Sequence, residues 1–201
     1  MIVYLDTNFL LEMAFGQEQE IPAKEIMKLA VDGKIELVCP CFVLIEPYWT
    51  IKNRDSNRKQ LLKSIELELQ QQQRSPNNSI EIGNLTNAHV SITNIGIKEG
   101  NAYSDILNKV LEIGTFIDIT KDTFISSLTY SSSYGLGPQD ALIYSAIISD
   151  MKKQSSGALK CFLSRNSKDF DIDALKSELS EYNCRYFTNF EHGLWYINSQ
   201  I

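Results

Sequence analysis

The chain has 201 residues, 43% of them hydrophobic and 10% aromatic, which is typical of one globular domain with a substantial core. Its formal net charge of −6 argues against a protein that coats nucleic acid through bulk positive charge, although an enzyme with a local basic strip is compatible with it. No apolar run approaches the roughly 20 residues of a membrane span, and no basic signal-peptide segment is present, so we expect a cytoplasmic protein that has no membrane partner.

Short apolar runs that alternate with helical patterns predict an α/β fold with a mainly parallel sheet. In the tail, residues 189–201 predict a last helix, with Phe190, Leu194 and Trp195 facing the core. The predicted strands are Ile2–Leu5, Ile35–Val38, Thr115–Ile119, Leu159–Leu163 and Cys184–Phe187. The helical patterns are Pro22–Val31, Asn101–Glu112, Ala141–Met151 and the stripe of Ile172, Leu175 and Leu179.

The middle of the chain has a different character from the rest. Asn53–Gln73 predicts a long polar helix, and the segment Ser75–Ser79 should break it. Residues 80–100 contain three glycines and no clear periodicity, so no element is predicted there. We interpret about 53–100 as a helical or irregular insertion in a single domain that spans residues 1–201.

Two acidic residues follow predicted strands. In parallel α/β sheets, ligands bind beside the carboxyl ends of the strands, and Asp6 comes directly after Ile2–Leu5. Burying a carboxylate is costly unless something pairs with it, so Asp6 either caps a helix or holds a cation together with other acids. Asp169 lies in a polar turn after a later strand, where an aspartate is also ordinary turn chemistry.

Two other acids lie in predicted helices. Glu46 ends an apolar run that we interpret as the first turns of a helix with Pro40 near its start, and Glu46 faces either the site or solvent. Pro47 should disturb that helix unless it lies within the first turn. Asp140 follows the glycine-rich loop Gly135–Pro138 and opens a helix, where its charge also complements the helix dipole.

The order and surroundings of these four acids resemble the PIN-domain family of metal-dependent ribonucleases, which includes the VapC-like toxins of toxin–antitoxin pairs. In that family a strand ends in Asp-Thr-Asn, a glutamate lies in an apolar helix, a third acid opens a helix rich in Ala and Ile, and a Ser/Thr-x-Asn turn precedes an acid and a Phe. The insertion at about 53–100 has no counterpart in the small toxins of the family. The matching segments are Asp6-Thr7-Asn8, FVLIE ending at Glu46, QDALIYSAII containing Asp140, Ser164-Arg165-Asn166 and Asp169-Phe170.

The resemblance implies a three-layer α/β/α domain with a central, mainly parallel sheet and a site of four carboxylates, Asp6, Glu46, Asp140 and Asp169. Crowded carboxylates raise one another's pKa, and a hard divalent ion relieves that repulsion. Oxygen ligands suit Mg²⁺ or Mn²⁺. We therefore expect one or two such ions, with Asp6 and Asp140 as direct ligands.

Further residues are expected to support this site or to contact RNA. An asparagine after the first acid would orient that acid or cap the first helix, and a Ser/Asn pair would hydrogen-bond the acids across neighbouring strand ends. The densest basic stretch would follow an RNA backbone, unless it is an ordinary solvated helix face. Arg165 would contact a phosphate, unless it is a solvated arginine of the turn. The supporting residues are Asn8, Ser164 and Asn166, and the RNA-contacting residues are Arg165 and, in the basic stretch, Lys52, Arg54, Arg58 and Lys59.

Other chemistries have less support in the sequence. His89 and His192 lack partners at useful spacing, and there is no Ser-His-Asp arrangement, P-loop or GxGxxG motif. A HAD-type phosphatase would carry a second aspartate two residues after the first, where this chain has Asn8. We expect reduced, mostly buried thiols at Cys39, Cys41, Cys161 and Cys184.

The sequence therefore predicts a Mg²⁺/Mn²⁺-dependent endoribonuclease that hydrolyses RNA phosphodiester bonds, leaving a 5′-phosphate and a 3′-hydroxyl as the resemblance implies. A toxin of a toxin–antitoxin pair, an RNA-processing enzyme and a defence nuclease all remain open. The alternative of another class is a catalytically silent PIN-fold scaffold that binds RNA or protein. The expected partners are RNA, an antitoxin or other protein, and a second copy of the chain.

Overall fold

The computed structural model describes residues 1–75, 77–154 and 157–201. Within these residues, short strands alternate with helices along the chain. The strands are β1 Ile2–Leu5, β2 Glu36–Pro40, β3 Thr115–Ile117, β4 Lys160–Leu163 and β5 Cys184–Phe187. The helices are α1 Thr7–Phe15, α2 Glu20–Val31, α3 Phe42–Gln72, α4 Ser79–Ile113, α5 Lys121–Tyr134, α6 Pro138–Met151, α7 Ser167–Phe170, α8 Asp173–Glu181 and α9 Phe190–Asn198.

The five strands form one parallel sheet in the order β3-β2-β1-β4-β5. Tyr4 of β1 pairs with Val38 of β2 on one side and with Phe162 of β4 on the other. The predicted strands and the α/β class are confirmed. Because every strand runs the same way, their carboxyl ends lie along one edge of the sheet, and β1, with Asp6 after it, is the central strand of that edge.

The sheet is buried by helices, which explains its continuous apolar strands. All four residues of β1 and all four of β4 are buried. Helix α6 packs on β2 and β3, whereas α9 packs on β4 and β5. The phenol of Tyr4 donates a hydrogen bond to Asp150 Oδ2 of α6 at 2.7 Å, so β1 is tied to this helix by a polar contact as well.

Helices α3 and α4 form a long hairpin, and α4 includes residues 80–100, for which the sequence predicted no element. Ile82, Leu85 and Ile92 of α4 are partly buried at spacings of three and seven, which is the pattern of a helix–helix seam. Glycines within this stretch hid that pattern in the sequence. Pro76, part of the predicted break, lies outside the described residues.

The start of α3 differs from the expectation in two ways. Pro40 is the last residue of β2, and the helix begins at Phe42. Pro47 lies inside α3, beyond the first turn, and the helix continues through it. A proline at this position forfeits only the hydrogen bond to the carbonyl of Val43, the second residue of the helix, so the disturbance falls on a helix end.

The structure differs from the sequence-based prediction at two further helices, one that was not predicted and one whose buried face was predicted wrongly. Helix α5 was not predicted because its buried positions, Thr123 and Ser127, are polar. In α9, Trp195 is 75% exposed, because Phe190, Gly193 and Ile197 form the buried face. In the parts of the chain that the structure describes, none of the helices has the length and apolarity that a membrane span requires.

Candidate active site

Asp6 lies where β1 ends and α1 begins, and it is only 2% exposed. Its Oδ1 accepts a hydrogen bond from the backbone N–H of Thr7 at 2.7 Å, so Asp6 is the N-cap of α1. Its Oδ2 accepts hydrogen bonds from Asn8 Nδ2 at 3.0 Å and from Ser164 Oγ at 2.6 Å. The structure therefore places Asn8 and Ser164 against Asp6, and Asn8 does not cap the helix.

Burial raises the pKa of Asp6 above its ordinary value. Three hydrogen bonds, from Ser164, Thr7 and Asn8, act in the opposite direction by stabilising the carboxylate, and the charge of Glu46 raises the pKa further. The protein thus holds a carboxylate in a place where a negative charge is costly, and it surrounds that carboxylate with donors that fix its orientation.

Two further acids reach the same place from helices. Glu46 of α3 accepts a hydrogen bond at Oε2 from Thr7 Oγ1 at 2.5 Å. Asp140, in the first turn of α6, accepts a hydrogen bond at Oδ1 from Asn166 Nδ2 at 2.9 Å. Thr7 therefore connects α3 to the start of α1, and Asn166 connects the turn after β4 to the start of α6.

These three acids line one open cleft with a volume of about 430 Å³. Burial raises the pKa of Asp140 to about 6, against the hydrogen bond from Asn166, and the charges of Asp6 and Asp169 raise it further. Burial also raises the pKa of Glu46, with the hydrogen bond from Thr7 opposing it and the charge of Asp140 adding to it. The residues that line the cleft are Asp6, Thr7, Asn8, Leu11, Glu46, Thr50, Asp140, Arg165 and Asn166.

Asp169 lies beside this group and does not line the cleft. It belongs to the short helix α7, and its charge contributes to the raised pKa of Asp140. The structure therefore brings Asp6, Glu46 and Asp140 together and leaves the fourth predicted acid at the margin. The role of Asp169 as a ligand stays a prediction.

Most of the predicted RNA-contacting cations are engaged with carboxylates of the protein. Arg54 and Arg58 both pair with Glu99 of α4, at 3.5 and 2.5 Å, and Lys59 pairs with Asp55 at 2.7 Å. Glu99 is buried, so the two arginines fix the base of the α3–α4 hairpin. Their predicted role in RNA binding stays a prediction.

Arg165 does line the cleft, and it is held there by α1 and the residues after it. Its guanidinium pairs with Glu12 at 3.3 Å and with Glu18 at 3.2 Å. Glu12 in turn accepts a hydrogen bond from the backbone N–H of Gln19 at 2.9 Å. Arg165 thus brings a positive charge to the acidic cleft, but two carboxylates share that charge.

The oxygen donors of the cleft have the chemistry that a hard divalent cation prefers. Asp6 is fully oriented by its neighbours, and Glu46 Oε1 accepts no hydrogen bond from the described residues. However, among those same residues no three acidic, histidine or cysteine side chains converge closely enough to hold a metal ion as they stand. The donor set therefore fits such an ion in chemical type, and its carboxylates would have to draw together on binding.

Thr7, Thr50 and Tyr186 belong to the site but were not assigned roles from the sequence. Thr7 carries the hydrogen bond that positions Glu46, and Thr50 lines the cleft one turn further along α3. The single phenol proton of Tyr186 in β5 is shared between the backbone oxygens of Ser164 and Asn166, at 3.3 and 3.2 Å, and this contact fixes the turn after β4. Only Thr7 had a signal in the sequence, as the middle residue of Asp-Thr-Asn.

Comparison with known proteins connects this geometry to a family. A family model described as the PIN domain matches residues 3–170, whereas comparisons with curated proteins and with solved structures give no match. Proteins with this domain are usually nucleases that act on RNA or other nucleic acid, and they generally use divalent metals. Since the match covers most of the chain and includes every acid of the cleft, this protein belongs to the PIN domain family.

Proposed function

We propose that this protein is a Mg²⁺- or Mn²⁺-dependent endoribonuclease whose reacting site is the cleft lined by Asp6, Glu46 and Asp140. The observation that carries the proposal is that these three carboxylates, from the end of β1, from α3 and from α6, line one open cleft. Burial raises the pKa of all three, so the fold maintains a cluster of negative charge at a cost in stability. Such a cluster is typical of a site for a divalent cation.

Asp6 and Asp140 would hold the metal, with Glu46 and Asp169 as further ligands, directly or through water. When bound, the metal would lower the pKa of a water molecule and offset charge on the phosphate. Asp6 is fixed for this role by hydrogen bonds from Thr7, Asn8 and Ser164, which leave it one orientation in the cleft.

The remaining steps belong to residues of the chain. Where Glu46 holds the ion through water, its Oε1, free of hydrogen bonds from the described residues, is the atom we assign to accept the proton of the attacking water, because burial raises the pKa of this carboxyl. Asn166 holds Asp140 in place through its hydrogen bond to Asp140 Oδ1. Because water is the nucleophile, the 2′-hydroxyl takes no part in the chemistry, and a preference for RNA would come from binding.

A silent PIN-fold scaffold that binds RNA or protein is the second candidate. It is favoured by one observation, namely that the described residues include no group of three potential ligands arranged to hold a metal as they stand. A toxin and an RNA-processing enzyme would both use the chemistry proposed above, and a toxin would additionally have a protein partner that blocks the cleft.

The test is incubation of purified protein with a pool of single-stranded and structured RNA in Mg²⁺, Mn²⁺ or EDTA. Asp140→Asn is compared with Asp122→Asn, which changes an exposed carboxylate of α5 outside the cleft. The proposal predicts products with 5′-phosphate ends and loss of cleavage in EDTA. It also predicts that Asp140→Asn loses cleavage and that Asp122→Asn keeps it. Cleavage that survives both EDTA and Asp140→Asn would reject it, and metal-independent RNA binding without cleavage would favour the scaffold.

A further inference from the structure

Helix α3 carries a row of exposed side chains that begins at the cleft. Glu46 lines the cleft, Trp49 is three residues further along the helix, and Lys52 is three residues beyond Trp49. Side chains three residues apart on a helix are neighbours on its surface, with Cβ atoms about 5–6 Å apart. Trp49 therefore lies at the rim of the cleft, and Lys52 lies just outside it.

Trp49 is unusually open to solvent for its residue type. It is 54% exposed and the adjacent Tyr48 is 55% exposed, although large aromatic residues are generally well buried in soluble proteins. The two rings contact each other edge to face, with centroids 6.1 Å apart and an interplanar angle of 77°. More than half of Trp49 stays accessible to solvent beside this ring contact, so part of the indole is open to a ligand.

Lys52 adds a positive charge to this surface. Its Nζ lies 4.9 Å from the centroid of the Trp49 ring, at cation–π distance. The neighbouring cations of α3 are paired with Glu99 or Asp55, whereas Lys52 has no carboxylate partner among residues 1–75, 77–154 and 157–201. Its charge is therefore available to a phosphate, in contrast to the charges of Arg54, Arg58 and Lys59.

We propose that Trp49 and Lys52 form a binding site for single-stranded RNA at the rim of the cleft, in which the indole stacks on one unpaired base and the ammonium contacts a neighbouring phosphate. This proposal rests on the proposed function and names its substrate class. Away from the ends of a strand, an aromatic ring can stack only on a base that is free of a duplex, so the site selects single-stranded over double-stranded segments. Each stacked base is joined to a negatively charged phosphate of the same RNA strand, and the ammonium of Lys52 beside the ring can contact that phosphate.

The experiment measures binding without cleavage. The chain has two tryptophans, so in Trp195→Phe protein the fluorescence comes from Trp49 alone. This protein is titrated in EDTA with short single-stranded RNA of mixed sequence, with a blunt RNA duplex and with single-stranded DNA. Affinities of wild type, Trp49→Ala, Trp49→Phe and Lys52→Gln are measured in parallel by anisotropy of labelled RNA. Trp195→Ala is the matched control, because it removes an exposed tryptophan of α9 that does not line the cleft.

Single-stranded RNA is expected to quench Trp49, and the duplex is expected to leave its fluorescence unchanged. Trp49→Ala should weaken single-strand binding by about 5- to 100-fold, the effect of losing one base–aromatic stack, whereas Trp49→Phe should retain most of the affinity. Lys52→Gln should make the dependence of affinity on salt less steep by about 0.7 in the log–log slope. Single-stranded DNA is expected to quench Trp49 as well, because the stacked base and the phosphate are common to both nucleic acids.

Affinity of Trp49→Ala within twofold of wild type would overturn the proposal, as would quenching by the duplex alone. The outcomes are distinguishable from failure of the nuclease assignment. RNA binding through Trp49 without metal-dependent cleavage would refute the proposed function and support the binding site. Metal-dependent cleavage, together with no effect of Trp49→Ala on binding, would support the proposed function and refute the binding site. Absence of RNA binding in EDTA would overturn the binding site and leave this aromatic surface to a protein partner, and the cleavage assay in Mg²⁺ would decide the nuclease assignment separately.

Discussion

Removing the charge of Asp140 should stabilise the metal-free protein at neutral pH. Its pKa is raised from 3.8 to about 6, chiefly by burial, and the charges of Asp6 and Asp169 add to the effect. Between pH 3.8 and about 6, the folded state therefore binds more protons at Asp140 than the unfolded chain does. The contribution of protonated Asp140 to the free energy of unfolding is fully present below pH 3.8 and is lost as pH rises through about 6. Asp140→Asn removes this loss and keeps an oxygen that can accept the hydrogen bond from Asn166.

The size of the effect follows from the shift. One pKa unit corresponds to about 1.4 kcal/mol, and since Asp140 is only partly buried, solvent screening reduces the full value to about 1–2 kcal/mol. In a protein of this length that difference moves the unfolding temperature by about 2–8 °C. The gain should be present at neutral pH and absent near pH 4, below which Asp140 is protonated in both states.

The assay is thermal unfolding in EDTA across the acidic to neutral range, with Asp122→Asn as the control. Added Mg²⁺ should raise the unfolding temperature of wild type and of the control more than that of Asp140→Asn, because a bound cation stabilises only a folded state that holds it. The reasoning would be refuted if Asp140→Asn lowered the unfolding temperature at neutral pH, or if its effect did not change with pH.

Substitutions at Thr7, Gly193 and Glu99 each test a single contact of the structure. Thr7→Val removes the hydrogen bond to Glu46 and should weaken the apparent Mg²⁺ affinity by about 10- to 100-fold in a calorimetric titration, whereas Thr7→Ser should restore it; equal affinities would contradict the role. Gly193→Ala places a Cβ 2.6 Å from Leu163 Cδ2 in the core and should lower the free energy of unfolding in urea by about 1–3 kcal/mol, so an unchanged midpoint would be evidence against that packing. Glu99→Gln removes the buried partner of two arginines of α3 and should destabilise the protein by about 1–3 kcal/mol and speed amide exchange at the base of the hairpin; unaltered exchange there would contradict it.

The sheet was predictable because its strands are short, the three central ones are buried on both faces, and helical patterns separate them. Each predicted strand boundary was close to the observed one, and Asp6 and Asp140 were placed correctly at a strand end and a helix start. These positions depend on local chemistry, since a parallel sheet brings its carboxyl ends together whatever the lengths of the connections. The family assignment came from the same local segments.

What could not be predicted depends on tertiary packing. Glu46 lies inside an apolar run, and only the packing of α3 beside α1 decides that it faces Thr7 instead of solvent. The engagement of Arg54 and Arg58 with Glu99 joins residues more than forty positions apart, so the basic stretch looked free in the sequence. Helix α5 was missed because serine and threonine fill its buried positions, which removes the hydrophobic period that a sequence-based prediction needs.

The central claim is that the carboxylates of the cleft act as one metal-dependent nuclease site. Its most direct test is the rate of cleavage of single-stranded RNA in Mg²⁺ by Asp6→Asn beside wild type, with both proteins first shown to be folded by thermal unfolding. Wild type should cleave only with Mg²⁺ present. Asp6→Asn should be folded, because it keeps an oxygen to cap α1, and it should be inactive. Cleavage by Asp6→Asn at the wild-type rate would contradict the claim.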